Sequence, residues 1–314
     1  MSRSVPAPSE SSPAGEPAPK EAVRVWSMHA DHEQHWPTGA LYIVATPIGN
    51  LRDITLRALD CLVRMDAIAA EDTRVAQRLL NAFDIHQKTF ALHQHNEAET
   101  AHEVITRLAH GERVAFVSDA GTPGISDPGA RLVKAVRDAG YRVVPLPGAS
   151  ALTSALSVSG LLDAPVLFLG FLPAKAAAAR RVLSSHPAKA VHIVLYEAPH
   201  RVRDTLVLLS EVYGRERRVV VARELTKLFE TIKVGTLGEV LDAPERSEDS
   251  RGEFVIVIEA DPSVTDAEDA HDKMLLRLLQ SLPLSEAVAI TADFTGISRK
   301  ILYARALALK SAPS

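Results

Sequence analysis

Between Leu41 and Leu146 the chain repeats one pattern: a short apolar run, a turn, then a segment with apolar residues at helical spacing. Leu41-Tyr42-Ile43-Val44-Ala45-Thr46 is the first run, and Pro47-Ile48-Gly49-Asn50 is a turn by its residue types. Leu56, Leu59, Leu62 and Val63 then follow at helical spacing. The same reading predicts strands at 66–70, 89–92, 113–117 and 142–146, and helices at 73–83, 97–110 and 130–139. A further helix starts near Ser150, a good N-cap after Pro147-Gly148. Strands that are apolar throughout must be covered on both faces, and helices between them supply the cover. The expected fold is therefore α/β, with a mostly parallel sheet.

A second α/β block starts near Asp163. Its strands are read at 166–170, 191–196, 218–222 and 254–258, and the alternation from Thr226 to Val234 suggests a hairpin strand. Strand directions are expected to be mixed there. Asp261 to Asp272 is polar and acidic and reads as a linker. Beyond it, a helix over 284–293, a turn at Phe294-Thr295-Gly296-Ile297 and a second helix capped by Ser298 resemble a helix-turn-helix. Residues 1–38 alternate Pro with Ser, Ala and Glu and are expected to be disordered. The division is thus 1–38 tail, 39–162 first α/β domain, 163–260 second α/β domain, and 261–314 linker with the helical segment.

Composition excludes several classes. No apolar run approaches the ~18 residues of a membrane span. The start leads into Pro, Ser and Ala rather than an apolar core, so no secretory leader is expected. Cys61 is the one cysteine, which rules out an internal disulfide framework and a multi-cysteine zinc site. Its helical context marks it as a small core residue, and a reducing cytoplasmic location fits. His29, His32 and His35 fall in the proline-rich tail with no cysteine nearby, so no metal is expected. The net charge of −4 argues against indiscriminate nucleic-acid binding and leaves room for local basic surfaces.

The densest motif is Ser118-Asp119-Ala120-Gly121-Thr122-Pro123-Gly124-Ile125-Ser126-Asp127-Pro128-Gly129, between a predicted strand and a predicted helix. Glycine lets backbone approach a ligand, and proline stiffens the loop that presents it. Ligands of open α/β sheets sit beyond the carboxyl ends of strands, which makes this loop the first candidate wall of a site. It is no known phosphate cradle: G-x-G-x-x-G fails at Gly49, and no G-K-[ST] follows Gly121.

That loop occurs in a fixed order with Tyr42-Ile43-Val44-Ala45-Thr46-Pro47-Ile48-Gly49-Asn50-Leu51, Ala70-Glu71-Asp72-Thr73-Arg74, His95-Asn96-Glu97 and Pro147-Gly148-Ala149-Ser150-Ala151. Gly170-Phe171-Leu172-Pro173, Tyr196-Glu197-Ala198-Pro199-His200-Arg201, Ala222-Arg223-Glu224-Leu225-Thr226-Lys227 and Gly252-Glu253-Phe254 follow. Over about residues 40–310 this series resembles the bacterial small-subunit rRNA cytidine 2′-O-methyltransferases. These belong to the tetrapyrrole-methylase-like (class III) enzymes that use S-adenosylmethionine (SAM). The resemblance implies two α/β domains with SAM in the cleft between them, a small C-terminal helical domain, and a homodimer. It also implies methylation of a cytidine ribose in the decoding region of 16S rRNA, on free rRNA or on the small subunit. Carried onto this chain, it suggests cofactor contacts at Pro47, Ala120, Gly121, Ser126, Ser150, Ala151, Tyr196 and Ala222. The tetrapyrrole branch has a Gly-Gly-Asp-Pro type of loop. Ala120-Gly121-Thr122-Pro123 departs from it and argues against a porphyrinoid substrate.

A ribose hydroxyl is a weak nucleophile until it loses its proton, so a nearby base would help. Glu71, Asp72, Asp119, Glu197 and His200 are the candidates. Asp72 is equally a natural N-cap, and Glu197 equally half of an ion pair with Arg201. Arg74 and Arg201 suit phosphate contact, as do Arg299, Lys300 and Arg305 on the last helix. Two other readings stay open: a SAM methyltransferase of a tetrapyrrole or other small molecule, and a non-catalytic RNA-binding assembly factor.

Overall fold

A computed structural model describes residues 35–92, 97–161, 164–186, 191–244, 251–261 and 266–311. Most of the proline-rich tail, with His29 and His32, and the His95-Asn96 pair lie outside the described residues. The chain divides into two compact units, Met1–Ser150 and Ala151–Ser314.

The first unit contains β1 (Ala40–Val44), β2 (Ala67–Ala70), β3 (Thr89–Ala91), β4 (Arg113–Val117) and β5 (Arg142–Leu146). They form one sheet in the order β3-β2-β4-β1-β5, with every pair parallel. Helices α1 (Leu56–Arg64), α2 (Thr73–Ala82), α3 (Glu97–Ala109) and α4 (Ala130–Asp138) make the crossovers. Successive strand side chains point to opposite faces. Tyr42, Val44, Ile68 and Ala115 pack with Leu59, Leu62 and Leu80 of α1 and α2. Leu41, Ala69, Val114 and Phe116 pack with Val104, Leu108, Leu132 and Val136 of α3 and α4. Two apolar faces on β1, β2 and β4 explain their uninterrupted apolar runs. Cys61 lies in the first of these cores as a free buried thiol, and burial pushes it up to about 12.

The second unit holds β6 (Val166–Phe171), β7 (His192–Glu197), β8 (Arg218–Arg223), β9 (Thr231–Thr236) and β10 (Phe254–Ile258). Their order is β6-β7-β10-β8-β9; β6 and β7 are parallel and the remaining pairs antiparallel. Helices α5 (Ala151–Ser159), α6 (Ala176–Ser185), α7 (Val202–Tyr213) and α8 (Leu237–Asp242) belong to it. The mixed directions agree with expectation. The hairpin strand, however, begins at Thr231 rather than Thr226. Residues 224–230 form a turn instead, with Glu224 and Thr226 at φ +52° and +69°. Lys227 Nζ donates to Glu224 Oε1 at 2.7 Å and Glu253 Oε2 at 2.8 Å, which holds that turn.

Three helices close the chain: α9 (Asp266–Leu279), α10 (Leu284–Thr295) and α11 (Arg299–Ser311). Leu275, Ala287, Val288, Ala292, Leu302 and Ala306 form their own buried core. The stretch read as a linker thus enters a helix at Asp266: Leu275 supplies an apolar anchor that the acidic composition concealed. Gly296 ends α10 at φ +71°, the left-handed C-cap that glycine adopts without penalty.

Candidate active site

In the first sheet β4 and β1 are neighbours whose connections leave in opposite directions. The chain runs from β1 toward β2 on one side, and from β4 to β5 on the other. Such a reversal opens a crevice at the carboxyl ends of the two strands, the usual ligand position in open α/β sheets. The glycine-rich loop lies there. Thr46 and Gly121 exchange both backbone hydrogen bonds, at 2.9 and 3.0 Å. Thr46 Oγ1 donates to Ser118 O at 3.2 Å, and Thr122 Oγ1 donates to Ala149 O at 3.1 Å. The loops after β1, β4 and β5 are thereby joined.

Gly121 and Gly124 have φ of +77° and +80°, a region that costs a residue with a Cβ. A Cβ on Gly121 would lie 3.2 Å from Ile48 Cγ2, and one on Gly129 would lie 2.5 Å from Phe116 Cε1. Gly121 and Gly129 are therefore demanded by the loop's own packing. Ala120, Gly124, Gly49, Pro147 and Gly148 are exposed, Pro47, Ser126 and Ser150 half-buried, and α5 opens at Ala151. The rim is side-chain-poor, so backbone groups are accessible from solvent.

Carboxylates complete that rim. The Asp119 amide donates to Glu71 Oε2 at 3.3 Å, and the Asp72 amide donates to Asp119 Oδ1 at 3.0 Å. Burial, reinforced by the charges of Asp127, Asp119 and Asp72, holds the Glu71 carboxyl above its ordinary value against the pull of the Asp119 amide. Asp119 is raised as well, first by burial. Asp72 is held well below the usual carboxylate range by hydrogen bonds from Arg74. It caps α2 by accepting from the Arg74 amide at 2.8 Å, and its side chain pairs with the Arg74 guanidinium at 2.6 Å. The N-cap reading of Asp72 is what the structure shows. Arg74 remains 84% exposed and so keeps a face toward solvent.

In the second unit Glu197 is buried. Oε1 accepts from the Ala198 amide at 2.9 Å, Oε2 accepts from Thr205 Oγ1 at 2.7 Å, and Arg201 Nε stands 3.4 Å from Oε1. Arg201 Nη2 donates to Leu172 O at 3.0 Å and Pro173 O at 3.3 Å. This is the ion pair foreseen as the alternative, and it ties the Gly170-Phe171-Leu172-Pro173 segment to the start of α7. His200 is exposed in the turn before α7. Tyr196 Oη accepts from the Leu152 amide at 3.0 Å, and its ring meets Phe168 and Phe171 edge-on. It thereby satisfies an amide in the first turn of α5. Ala222 is fully buried in β8, paired with Val255 and Ile232.

On the helical bundle, Arg305 makes a two-pronged pair with Asp272, Nε to Oδ1 at 2.9 Å and Nη2 to Oδ2 at 2.7 Å. It fastens α11 to α9. Arg299 is 68% exposed, with Asp293 Oδ1 at 3.4 Å, and Lys300 is exposed beside it. Cations in the first turn of a helix oppose its dipole, so this placement is costly for the helix itself. Phe294 is 81% exposed in the same region. Thr46 and Thr122 escaped the sequence reading; their signal is a hydroxyl placed where a strand ladder ends beside a glycine or proline.

The chain belongs to the tetrapyrrole (corrin/porphyrin) methylases, whose family profile matches residues 40–241. A second profile, the RsmI C-terminal HTH domain, matches residues 265–310. Among curated proteins it is similar to Ribosomal RNA small subunit methyltransferase I of Haemophilus influenzae, 45% identical over 86% of this chain and 97% of that one. The protein of that name from Pseudomonas aeruginosa is 46% identical over 86% and 97%. Among solved structures, uroporphyrin-III-C-methyltransferase from Thermus thermophilus matches with a TM-score of 0.52 and 20% identity, over 70% of this chain and 94% of that one. A cobalt precorrin-4 methyltransferase matches at 0.51 and 17%, over 72% and 98%. These structures share the fold. The family's methyl donor is SAM, and the rim fits it: exposed loop backbone offers hydrogen bonds to a nucleoside, and nearby carboxylates complement a cation.

Proposed function

We propose that this chain transfers a methyl group from SAM to the 2′-oxygen of a cytidine in the decoding region of 16S rRNA. Methylation of small-subunit ribosomal RNA is the activity that its curated relatives carry in their names, and this chain spans nearly their whole length. The observation that carries the RNA reading is the C-terminal helical unit, which matches a helix-turn-helix profile and exposes Arg299 and Lys300.

When bound, SAM supplies an electrophilic methyl carbon, and attack in line with its departing sulfur needs the ribose oxygen about 3–3.5 Å away. Pro47, Ala120, Gly121, Ser126, Ser150, Ala151, Tyr196 and Ala222 are the proposed cofactor contacts, as the family resemblance suggests. Glu71 is the proposed general base. Its carboxyl, raised by burial, is a stronger base than that of the Arg74-paired Asp72. Asp119 orients Glu71 through its amide. Glu197 is already committed to three partners, and exposed His200 is a weaker alternative. Arg74, Arg299 and Lys300 are the proposed phosphate contacts, with Arg201 and Arg305 serving mainly to position their own elements. A homodimer in the cytoplasm completes the reading. No helix among the described residues is long and apolar enough to cross a membrane.

The test is incubation of the protein with labelled SAM and isolated small subunits. Label in a ribose of the rRNA supports the proposal. Transfer only to a porphyrinoid supports the small-molecule reading, and binding without transfer supports an assembly factor.

A further inference from the structure

The second sheet has a cavity of about 150 Å³ at the carboxyl ends of β7 and β8. Val202 and Arg203 at the start of α7, Val221 and Arg223 on β8, Lys233 on β9 and Phe254 on β10 help to line it. Strand register puts it on a definite face. Arg223 pairs with Phe254 and Thr231, and Val221 with Lys233, so these side chains share one side of the sheet. Tyr196 and Ala222 both pair with Val255 and lie on the other side. The cavity is therefore separate from the face that carries the proposed cofactor contacts of this unit.

Its chemistry is cationic over an apolar floor. Among the described residues that line it, none is acidic. Arg223 is 6% exposed, and its guanidinium bonds backbone carbonyls: Nε donates to Arg251 O at 2.9 Å and Nη1 to Phe229 O at 3.5 Å. Carbonyl dipoles do not neutralise a buried charge. The adjacent Glu224 feels Arg223, yet one of its oxygens already accepts from Lys227 and from the Glu253 amide. Glu197, on the same face, is saturated by the partners described above. Arg203 and Lys233 stand on its lining and also make contacts of their own. The 12-residue α7 begins there, and its N-cap residue Arg201 makes no side-chain cap bond. Those amides favour an anion. Asp204 in the same turn is exposed and is not among the lining residues.

We propose that this cavity, at the start of α7 and lined by Arg203, Arg223 and Lys233, binds a phosphate group of the RNA substrate, with the adjoining nucleoside against the apolar floor. It is a second anchoring point on the second α/β unit, additional to the helical bundle, and it rests on the rRNA reading above.

The experiment titrates the full-length protein and its Arg203→Glu and Lys233→Glu variants with isolated small subunits over a range of salt. SAM affinity and thermal unfolding are measured on the same samples. Each variant is expected to lose roughly tenfold in subunit affinity at low salt and about one unit of salt slope, with SAM affinity unchanged. Arg203→Gln removes the charge with a similar stem and covers the case in which a reversed charge unfolds the sheet. Parental affinity and slope in the folded variants overturn the proposal. A second arm titrates inorganic phosphate into the free protein, followed by NMR. Loss of phosphate binding in variants that keep parental subunit binding assigns the cavity to a free anion and overturns the RNA assignment. A parent that binds subunits yet methylates no rRNA counts against the functional reading alone, because the binding contrast is read without turnover.

Discussion

Asp119 donates its backbone amide to the Glu71 carboxylate at 3.3 Å, across the neighbouring strands β4 and β2. This contact fixes one Glu71 oxygen at the rim of the crevice while burial raises the carboxyl's affinity for a proton. A folded-state value above the unfolded one means that the native state holds the proton more tightly. The ionised group therefore costs stability as pH rises through the ordinary glutamate range, and the full cost is present above the folded value. Glu71→Gln keeps an acceptor for the Asp119 amide and removes the charge. It is expected to unfold at a higher temperature than the parent at neutral pH, with the difference fading in acid. Single-turnover methyl transfer is expected to fall by about a hundredfold. A variant that transfers at the parental rate removes Glu71 from the chemistry.

The Thr46–Gly121 bridge makes a different prediction. Gly121→Ala places a Cβ in the left-handed region and 3.2 Å from Ile48. A cost of about 1–2 kcal/mol in urea unfolding is expected, together with weaker SAM binding by calorimetry. Unchanged SAM affinity in the strained variant places the cofactor away from this loop.

Glu197 and Arg201 concern stability alone. Glu197→Ala strands a partly buried guanidinium and removes the acceptor of Thr205. Equilibrium unfolding should show a loss of roughly 3 kcal/mol. Loss of catalysis without loss of stability returns Glu197 to the list of bases.

On the bundle, Arg299 and Lys300 separate from Arg305. Arg299→Glu/Lys300→Glu should weaken subunit binding and reduce the salt slope by about two, leaving SAM affinity alone. Arg305→Ala, by freeing Asp272 on α9, should lower the unfolding temperature with a smaller effect on the slope. Equal slopes in all three proteins contradict a phosphate-binding role for the first turn of α11.

Sequence legibility followed burial. The first sheet could be read strand by strand because each central strand is covered on both faces and is written as one apolar run. β9 was misplaced by five residues because it is an edge strand with Ile232 and Val234 exposed, and an exposed edge carries little periodic signal. The stretch to Asp272 was read as linker because it is acidic in sequence, and the apolar residues that α9 gives to the core, Leu275, Leu278 and Leu279, come after it. At the site, the glycine-rich loop stood out through glycines that the backbone demands. The clasp by Thr46 and Thr122 did not, since a hydroxyl bonded to a distant carbonyl leaves no local pattern. The division between Glu71 and Glu197 was equally hidden: both follow a strand, and only Thr205, Ala198 and Arg201 in three dimensions show which carboxylate is already occupied.

The central claim is tested most directly by identifying the methylated atom. Small subunits from cells lacking this activity are incubated with the protein and labelled SAM, the rRNA is digested to nucleosides, and the labelled species is resolved by mass spectrometry. The account predicts one product, 2′-O-methylcytidine, mapping to the decoding region of 16S rRNA. Label on a base, or subunits that bind the protein and remain unlabelled, contradicts it.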